Sequence, residues 1–245
     1  MILSASGWRK VFAIGGQEQD KTSMIGEDNI AISIYAAKVF ADYVKNYDMT
    51  DEKVKLKIDH TYRVCSLCQQ IATQSGFDED EIEIAWLTGL LHDVGRFEQL
   101  RRYGTFVDAK SIDHAEFGAD ILFKERKIRD YVEDASEDDL LEKAVRCHSA
   151  YRIPTDYNER EQRFANLLRD ADKIDILKVN IGLCLVGVVI GEFLAAKSGL
   201  GYLIIYGSQV FKLDFVMLSI FLLCLLAMIL YFSLQGVEKH FKGHF

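Results

Sequence analysis

The sequence predicts an all-α domain followed by two membrane-spanning helices. Apolar residues recur at helical spacing through the middle of the chain, as at Leu141, Ala144 and Val145, and signals of a parallel sheet are missing there. Charged residues make up 27% of the chain, yet almost none falls between Val179 and Leu234. These observations predict a chain made of a polar helical bundle and an apolar tail.

Composition limits the partners and the compartment of the protein. The 245 residues carry a net charge of −8, so no binding to a nucleic-acid duplex is expected. The five cysteines do not form the pattern of a secreted disulfide scaffold. A reducing, cytosolic environment fits them best.

Residues 1–40 are predicted to be an N-terminal extension. They begin with Ser4-Ala5-Ser6-Gly7-Trp8-Arg9 and continue through a polar stretch into a helical pattern. The opening resembles the N-terminal substrate-loop segment of phosphohexomutases, although the phosphoserine loop and the metal-binding loop of that family are absent. The resemblance implies a remnant without catalysis, and the alternative is a loosely attached strand and helix.

Residues 41–180 are predicted to form the helical bundle. Asp78 and Glu81 have the spacing of a capping box for the helix that contains Trp86, and Gly95 is expected to end this helix. Pro154, the single proline, interrupts the chain before the last helix of the bundle.

Residues 181–245 are predicted to be a hydrophobic tail with spans at 181–196 and 215–234. Phe215–Leu234 is free of charge and long enough for a bilayer core of ~30 Å. Ile181–Ala196 is shorter and carries Glu192. A hairpin of the two spans would leave Lys178 and Lys239 at its outer ends, which predicts a cytoplasmic domain on a membrane-associated protein.

The tail also contains motifs of a known family. The run Gly187-Val-Val-Ile-Gly-Glu-Phe-Leu and the segment from Gly199 to Asp214 resemble the C-terminal end of nitrate/sulfonate/taurine-type ABC transporter permeases. This resemblance covers about residues 181–239 and implies a permease or an ATPase as a partner.

Four motifs in the bundle carry the chemistry. They are His-Thr-Tyr-Arg-Val at residue 60, His-Asp-Val-Gly-Arg-Phe-Glu at residue 92, Ser-Ile-Asp-His-Ala at residue 111 and Arg-Asp-Ala-Asp-Lys-Ile-Asp at residue 169. Their order resembles the HD superfamily of metal-dependent phosphohydrolases over about Phe40–Asn180. The resemblance implies an HD-domain helical bundle that binds one or two divalent ions.

The resemblance implies a metal site formed by His60, His92, Asp93 and Asp172. His60 and Asp172 lie on apolar helical stripes, and a buried carboxylate is costly unless it is paired or binds a metal. Mixed imidazole and carboxylate ligands suit Mn, Fe, Co, Ni or Mg. His114 and His148 would bind a second metal or phosphate, or would instead be satisfied core histidines; in relatives with a Gly-Tyr-Pro signature, which this chain lacks, the corresponding histidines bind a second metal.

The predicted catalytic residues are Asp93, Arg96 and Lys173. Asp93 would orient or deprotonate the attacking water, while Arg96, with Arg63 as a further candidate, would bind the phosphate. A guanidinium binds phosphate through two parallel hydrogen bonds, which favours Arg96 for this role. Each cation could instead be a solvated charge on a helix.

Three functions compete. The first is a metal-dependent phosphohydrolase acting on a nucleotide or another small phosphorylated substrate. The second is a membrane transport component, a truncated permease subunit in which the HD domain is passive or regulatory. The third is an HD domain that keeps its metal for regulatory binding or for oxidative chemistry at a di-iron centre.

Overall fold

The computed structural model describes residues 27–195 and 197–242, and within these ranges it is helical, with no strand. The predicted all-α fold class is therefore confirmed. The segment that resembles phosphohexomutases lies outside the described residues. The α-helices are α1 (Glu27–Val44), α2 (Glu52–Gln74), α3 (Glu79–Leu91), α4 (Val94–Tyr103), α5 (His114–Ala119), α6 (Ile128–Tyr131), α7 (Asp138–Cys147), α8 (Glu159–Ala195), α9 (Leu200–Gln209) and α10 (Leu213–Lys242).

The chain divides into two compact units, Met1–Asp175 and Ile176–Phe245. The boundary between them falls within α8. The predicted boundary at residue 40 falls within α1, where Phe40 is fully buried in the first unit. The predicted domain ranges stay predictions.

Helix α3 lies at the centre of the first unit. Its residues from Leu87 to Leu91 are all buried, so the second half of this helix has no polar face. Leu87 and Leu90 pack in one hydrophobic cluster with α1, α4 and α6, whereas Ala85 packs in a second cluster with α2, α7 and α8. The C-terminal half of α3 is therefore packed on both sides, and His92 follows directly after its last residue.

The ends of α3 and the start of α4 determine where the chain turns at the site. Asp78 caps α3 by accepting a hydrogen bond from the Glu81 N–H at 2.8 Å, as expected. The prediction that Gly95 ends this helix is wrong, because α3 ends at Leu91 and Gly95 lies in the first turn of α4. A Cβ atom at Gly95 would lie 2.6 Å from the backbone nitrogen of Gly118. Glycine is needed there for the close approach of α4 and α5.

The second unit contains the apolar tail. The predicted span 215–234 lies within α10, and the predicted span 181–196 overlaps the end of α8. Both helices are long and apolar enough to cross a membrane, and only 7% and 6% of their most apolar windows are buried. Two candidate spans were predicted, and two are found.

A further helix, α9, separates the two candidate spans and was not predicted. Its ten residues correspond to about 15 Å of helix, which is too short to cross a bilayer core. It begins after Gly199, which has a φ of +99°, and it ends in a tight turn where Phe211 has a φ of +58°. Ser198-Gly199 is the turn signal in the sequence that could have revealed the start of α9.

Candidate metal centre

Six side chains from six parts of the first unit converge on one site. His60 comes from α2, Asp172 from α8, and the other four stand at helix ends. His92 follows α3, Asp93 precedes α4, His114 begins α5 and His148 follows α7. Five of the six are buried, and the side chain of Asp172 is 16% exposed.

The first ligand group consists of His60, His92 and Asp172. The His60 Nε2 atom lies 3.1 Å from Asp172 Oδ1 and 3.4 Å from His92 Nε2. Asp93 Oδ2 lies 3.5 Å from His60 Nε2 and 3.4 Å from His92 Nε2. The ligand atoms of His60, His92 and Asp172 are close enough together to share one ion.

The second group consists of His114 and His148, again with Asp93. The Nε2 atoms of the two histidines are 3.0 Å apart. Asp93 Oδ1 lies 3.7 Å from His114 Nε2 and 3.8 Å from His148 Nε2. Each carboxylate oxygen of Asp93 therefore faces a different pair of histidines.

Asp93 can occupy this position because it does not cap its helix. It stands at the N-cap of α4, but its side chain makes no capping hydrogen bond. His92 and Asp93 are therefore more than a pair of residues that caps a helix end. The positive end of the α4 dipole also favours a carboxylate at this place.

All four histidines have their Nδ1 atom next to an oxygen acceptor. His60 Nδ1 lies 2.7 Å from Asp175 Oδ2, and His114 Nδ1 lies 2.6 Å from Asp108 Oδ2. The Nδ1 atoms of His92 and His148 lie 2.7 and 2.6 Å from backbone carbonyl oxygens one turn earlier. Since carbonyl and carboxylate oxygens only accept, this network assigns the proton to Nδ1 in each ring.

This assignment provides a test of whether a metal fits the site. A neutral imidazole with its proton on Nδ1 presents a lone pair at Nε2. The Nε2 atoms of His114 and His148 would then face each other without a proton between them. A cation relieves this repulsion, and fixing Nδ1 by a second partner is the usual arrangement around metal-bound histidines. The donor set therefore fits divalent ions.

The ionisation of Asp93 and of the second histidine pair agrees with ligand chemistry. Burial would raise the pKa of Asp93, but the charge of Lys57 and the contact with His92 hold it well below its usual range. Burial and the neighbouring His92 lower the pKa of His148 to about 4, and burial also lowers the pKa of His114. Burial would also lower the pKa of His92, but the charge of the neighbouring Asp93 outweighs the effect of burial and raises this pKa. Asp93 is thus ionised and the second histidine pair neutral at pH 7.

The three predicted cations lie in different environments. The Arg96 guanidinium is next to the site, with Nε 3.6 Å from Asp93 Oδ1. Arg63 forms a two-pronged ion pair with Asp175, at 2.6 and 3.0 Å. Lys173 is exposed, and in the described part of the chain no hydrogen bond or ion pair joins it to the site. The catalytic and phosphate-binding roles of these residues stay predictions.

Three site residues were missed in the sequence. Asp175 and Asp108 orient His60 and His114, and Lys57 forms an ion pair with Asp93 at 2.5 Å. Lys57 stands one helical turn before His60, and Asp175 one turn after Asp172. This spacing on one helix face could have revealed both residues. Asp108 lies in a short 3-10 helix after α4 and gives no such signal.

One of three comparisons with known proteins finds a match, and it covers the part of the chain that forms this site. The family model described as HD domain matches residues 58–178. No curated protein and no solved structure matches the chain. The resemblances to permeases and to phosphohexomutases stay predictions.

Proposed function

From the premise that residues 58–178 form an HD domain, we propose that the chain is a metal-dependent phosphohydrolase. Its substrate would be a nucleotide or another small phosphate ester. The observation that carries the proposal is the position of Asp93, whose two oxygens each face one pair of histidines. This arrangement suits two divalent ions held side by side.

His60, His92 and Asp172 would hold one ion, and His114 and His148 the other, with Asp93 shared between them. When bound, such ions lower the pKa of a coordinated water and neutralise charge on a phosphoryl oxygen. The nitrogen and oxygen donors favour Mn, Fe, Co, Ni or Mg. The described ligand groups contain no cysteine, so a structural zinc site of the thiolate kind is not proposed.

The protein's own residues supply proton transfer and orientation. Asp93 is ionised and buried, so it can orient a water molecule or accept its proton. Arg96 is held in place by hydrogen bonds of its Nη1 to Gln99 Oε1, the Phe106 carbonyl oxygen and Asp108 Oδ1. A fixed guanidinium beside Asp93 would bind the phosphoryl group without losing much conformational entropy.

The test combines metal analysis with hydrolysis of a generic phosphate ester. We expect the purified full chain to contain divalent metal, to hydrolyse the ester with added Mn²⁺ and to lose activity with a chelator. Asp93→Ala should abolish turnover, while Asp59→Ala, next to His60 on the same helix but exposed, should leave it unchanged. Full activity in Asp93→Ala would refute the mechanism. Bound iron with oxidative but no hydrolytic activity would favour a di-iron centre instead.

We also propose that the tail anchors the enzyme to a membrane with its HD domain in the cytoplasm. The support is the low burial of the two apolar helices, since a core helix of a soluble protein would be mostly buried. Carbonate extraction of membranes should leave the full chain in the pellet. Release of the chain into the soluble fraction would contradict the anchor, and digestion of a C-terminal tag from outside intact cells would contradict the hairpin.

A further inference from the structure

We propose that Lys57 is a second substrate-contacting cation, which binds the phosphoryl group together with Arg96. This inference rests on the proposed function and adds a residue that the sequence motifs do not contain. Lys57 lies on α2, three residues before His60, and its Nζ is 2.5 Å from Asp93 Oδ2. It thus reaches the shared carboxylate directly.

Lys57 stands between the buried ligands and solvent. Its side chain is 15% exposed, whereas that of Asp93 is 3% exposed. An ammonium group has three N–H donors, and among the described residues Asp93 is the acceptor that Lys57 reaches. Two donors therefore remain for a ligand that enters from this side.

Arg96, on α4, also stands between Asp93 and solvent. Its side chain is also 15% exposed, and it approaches the other oxygen of Asp93. Three acceptors fix its Nη1, but its Nε is a buried donor without a hydrogen-bond partner in the described part of the chain. A buried donor left unsatisfied costs free energy, and a phosphoryl oxygen would satisfy it.

The two cations lie near one aromatic ring. Lys57 Nζ lies 5.8 Å and Arg96 Cζ 5.9 Å from the centre of the Phe106 ring. These two charges, together with a divalent ion bound by Asp93, would repel one another in a poorly solvated place. An anion at this edge would reduce that repulsion, and phosphate carries the charge and the acceptor oxygens required.

The other predicted cations are less suited to this role. Arg63 uses both Nε and Nη2 for Asp175, and Lys173 is exposed. Lys57 and Arg96 are the two cations that the structure brings within 4 Å of Asp93, among the residues it describes.

The test measures binding of inorganic phosphate to the Mn²⁺-loaded full chain by calorimetry, with the metal content of every variant determined separately. We expect Lys57→Ala to weaken phosphate binding about tenfold or more, with the metal content unchanged. Lys57→Arg, which keeps the charge, should recover most of the affinity. Lys53→Ala, an exposed lysine on the same helix, is the matched control and should bind as the unaltered protein does.

Two results would overturn the inference. One is unchanged phosphate affinity in Lys57→Ala. The other is a loss of metal in Lys57→Ala that parallels the loss of phosphate binding, because Lys57 would then serve only as a counter-ion of Asp93. Failure of the proposed function looks different: phosphate would bind through Lys57, but the unaltered protein would hydrolyse no ester. In an active enzyme, Lys57→Ala should raise KM more than it lowers kcat.

Discussion

Replacing Asp175 by Asn isolates the part of the site that orients a ligand without binding the ion. Asp175 is buried, and its Oδ2 lies 2.7 Å from His60 Nδ1 while the carboxylate accepts two hydrogen bonds from Arg63. Asn has a similar shape but offers one acceptor and one donor group. With its oxygen in the place of Oδ2, Asn would keep the contacts with His60 Nδ1 and Arg63 Nη2, but its NH2 group would then face the Arg63 Nε–H donor. The negative charge that both partners share would be lost.

The size of two effects follows from these contacts. Loss of a carboxylate that orients a metal-bound histidine typically lowers metal affinity 10- to 100-fold, which is about 1.4–2.7 kcal/mol. Loss of the charged pair with Arg63 lowers the free energy of unfolding by about 1–2 kcal/mol, because the Arg63 side chain is 45% exposed and its charge is partly screened. Metal affinity should therefore fall more clearly than stability.

Competition with a chelator measures the metal Kd, and thermal unfolding of the metal-free chain in detergent measures stability. Asp170→Asn is the matched control, since Asp170 lies on the same helix and is exposed. If Asp175→Asn folds and binds metal within twofold of the unaltered protein, then Asp175 does not orient a metal ligand and the reasoning is wrong.

Two further predictions concern the frame around the site. Gly95→Ala should destabilise the protein by about 1–3 kcal/mol through overpacking against α5, and it should weaken binding of the second metal ion because α5 carries His114. Gly182→Ala, where a Cβ meets open space, is the control and should change neither stability nor metal binding. Equal thermal unfolding of the two variants would contradict this packing argument. Burial would raise the pKa of Glu98, but hydrogen bonds from Arg101 and Arg102 lower it. The ionised Glu98 side chain therefore stabilises the folded protein above pH ~4.3, and this stabilisation is lost as the pH falls through the pKa that Glu98 has in the folded state. Glu98→Gln should therefore cost about 1 kcal/mol at pH 7 and progressively less below pH ~4; a cost independent of pH would show that the charge does not matter.

The sequence determined the class of the fold and the side chains that come together at the site. Helical periodicity and the absence of sheet signals are local properties, so they predicted the all-α bundle and the two apolar helices without any tertiary information. The polar residues His60 and Asp172 on apolar stripes, together with the order of the four motifs, predicted which side chains share the site.

The tertiary structure decided which partners each of these residues has. That Asp93 faces two pairs of histidines depends on how the ends of α3, α4, α5 and α7 meet, and this meeting depends on the close approach of α4 and α5 at Gly95. Asp108 carries no signal of its own, and the spacing of Lys57 from His60 does not by itself show that the lysine is buried, because a lysine or an aspartate on a helical or turn segment is most often solvated. Only long-range packing brings them to a buried carboxylate and a buried imidazole, where their charges govern the site.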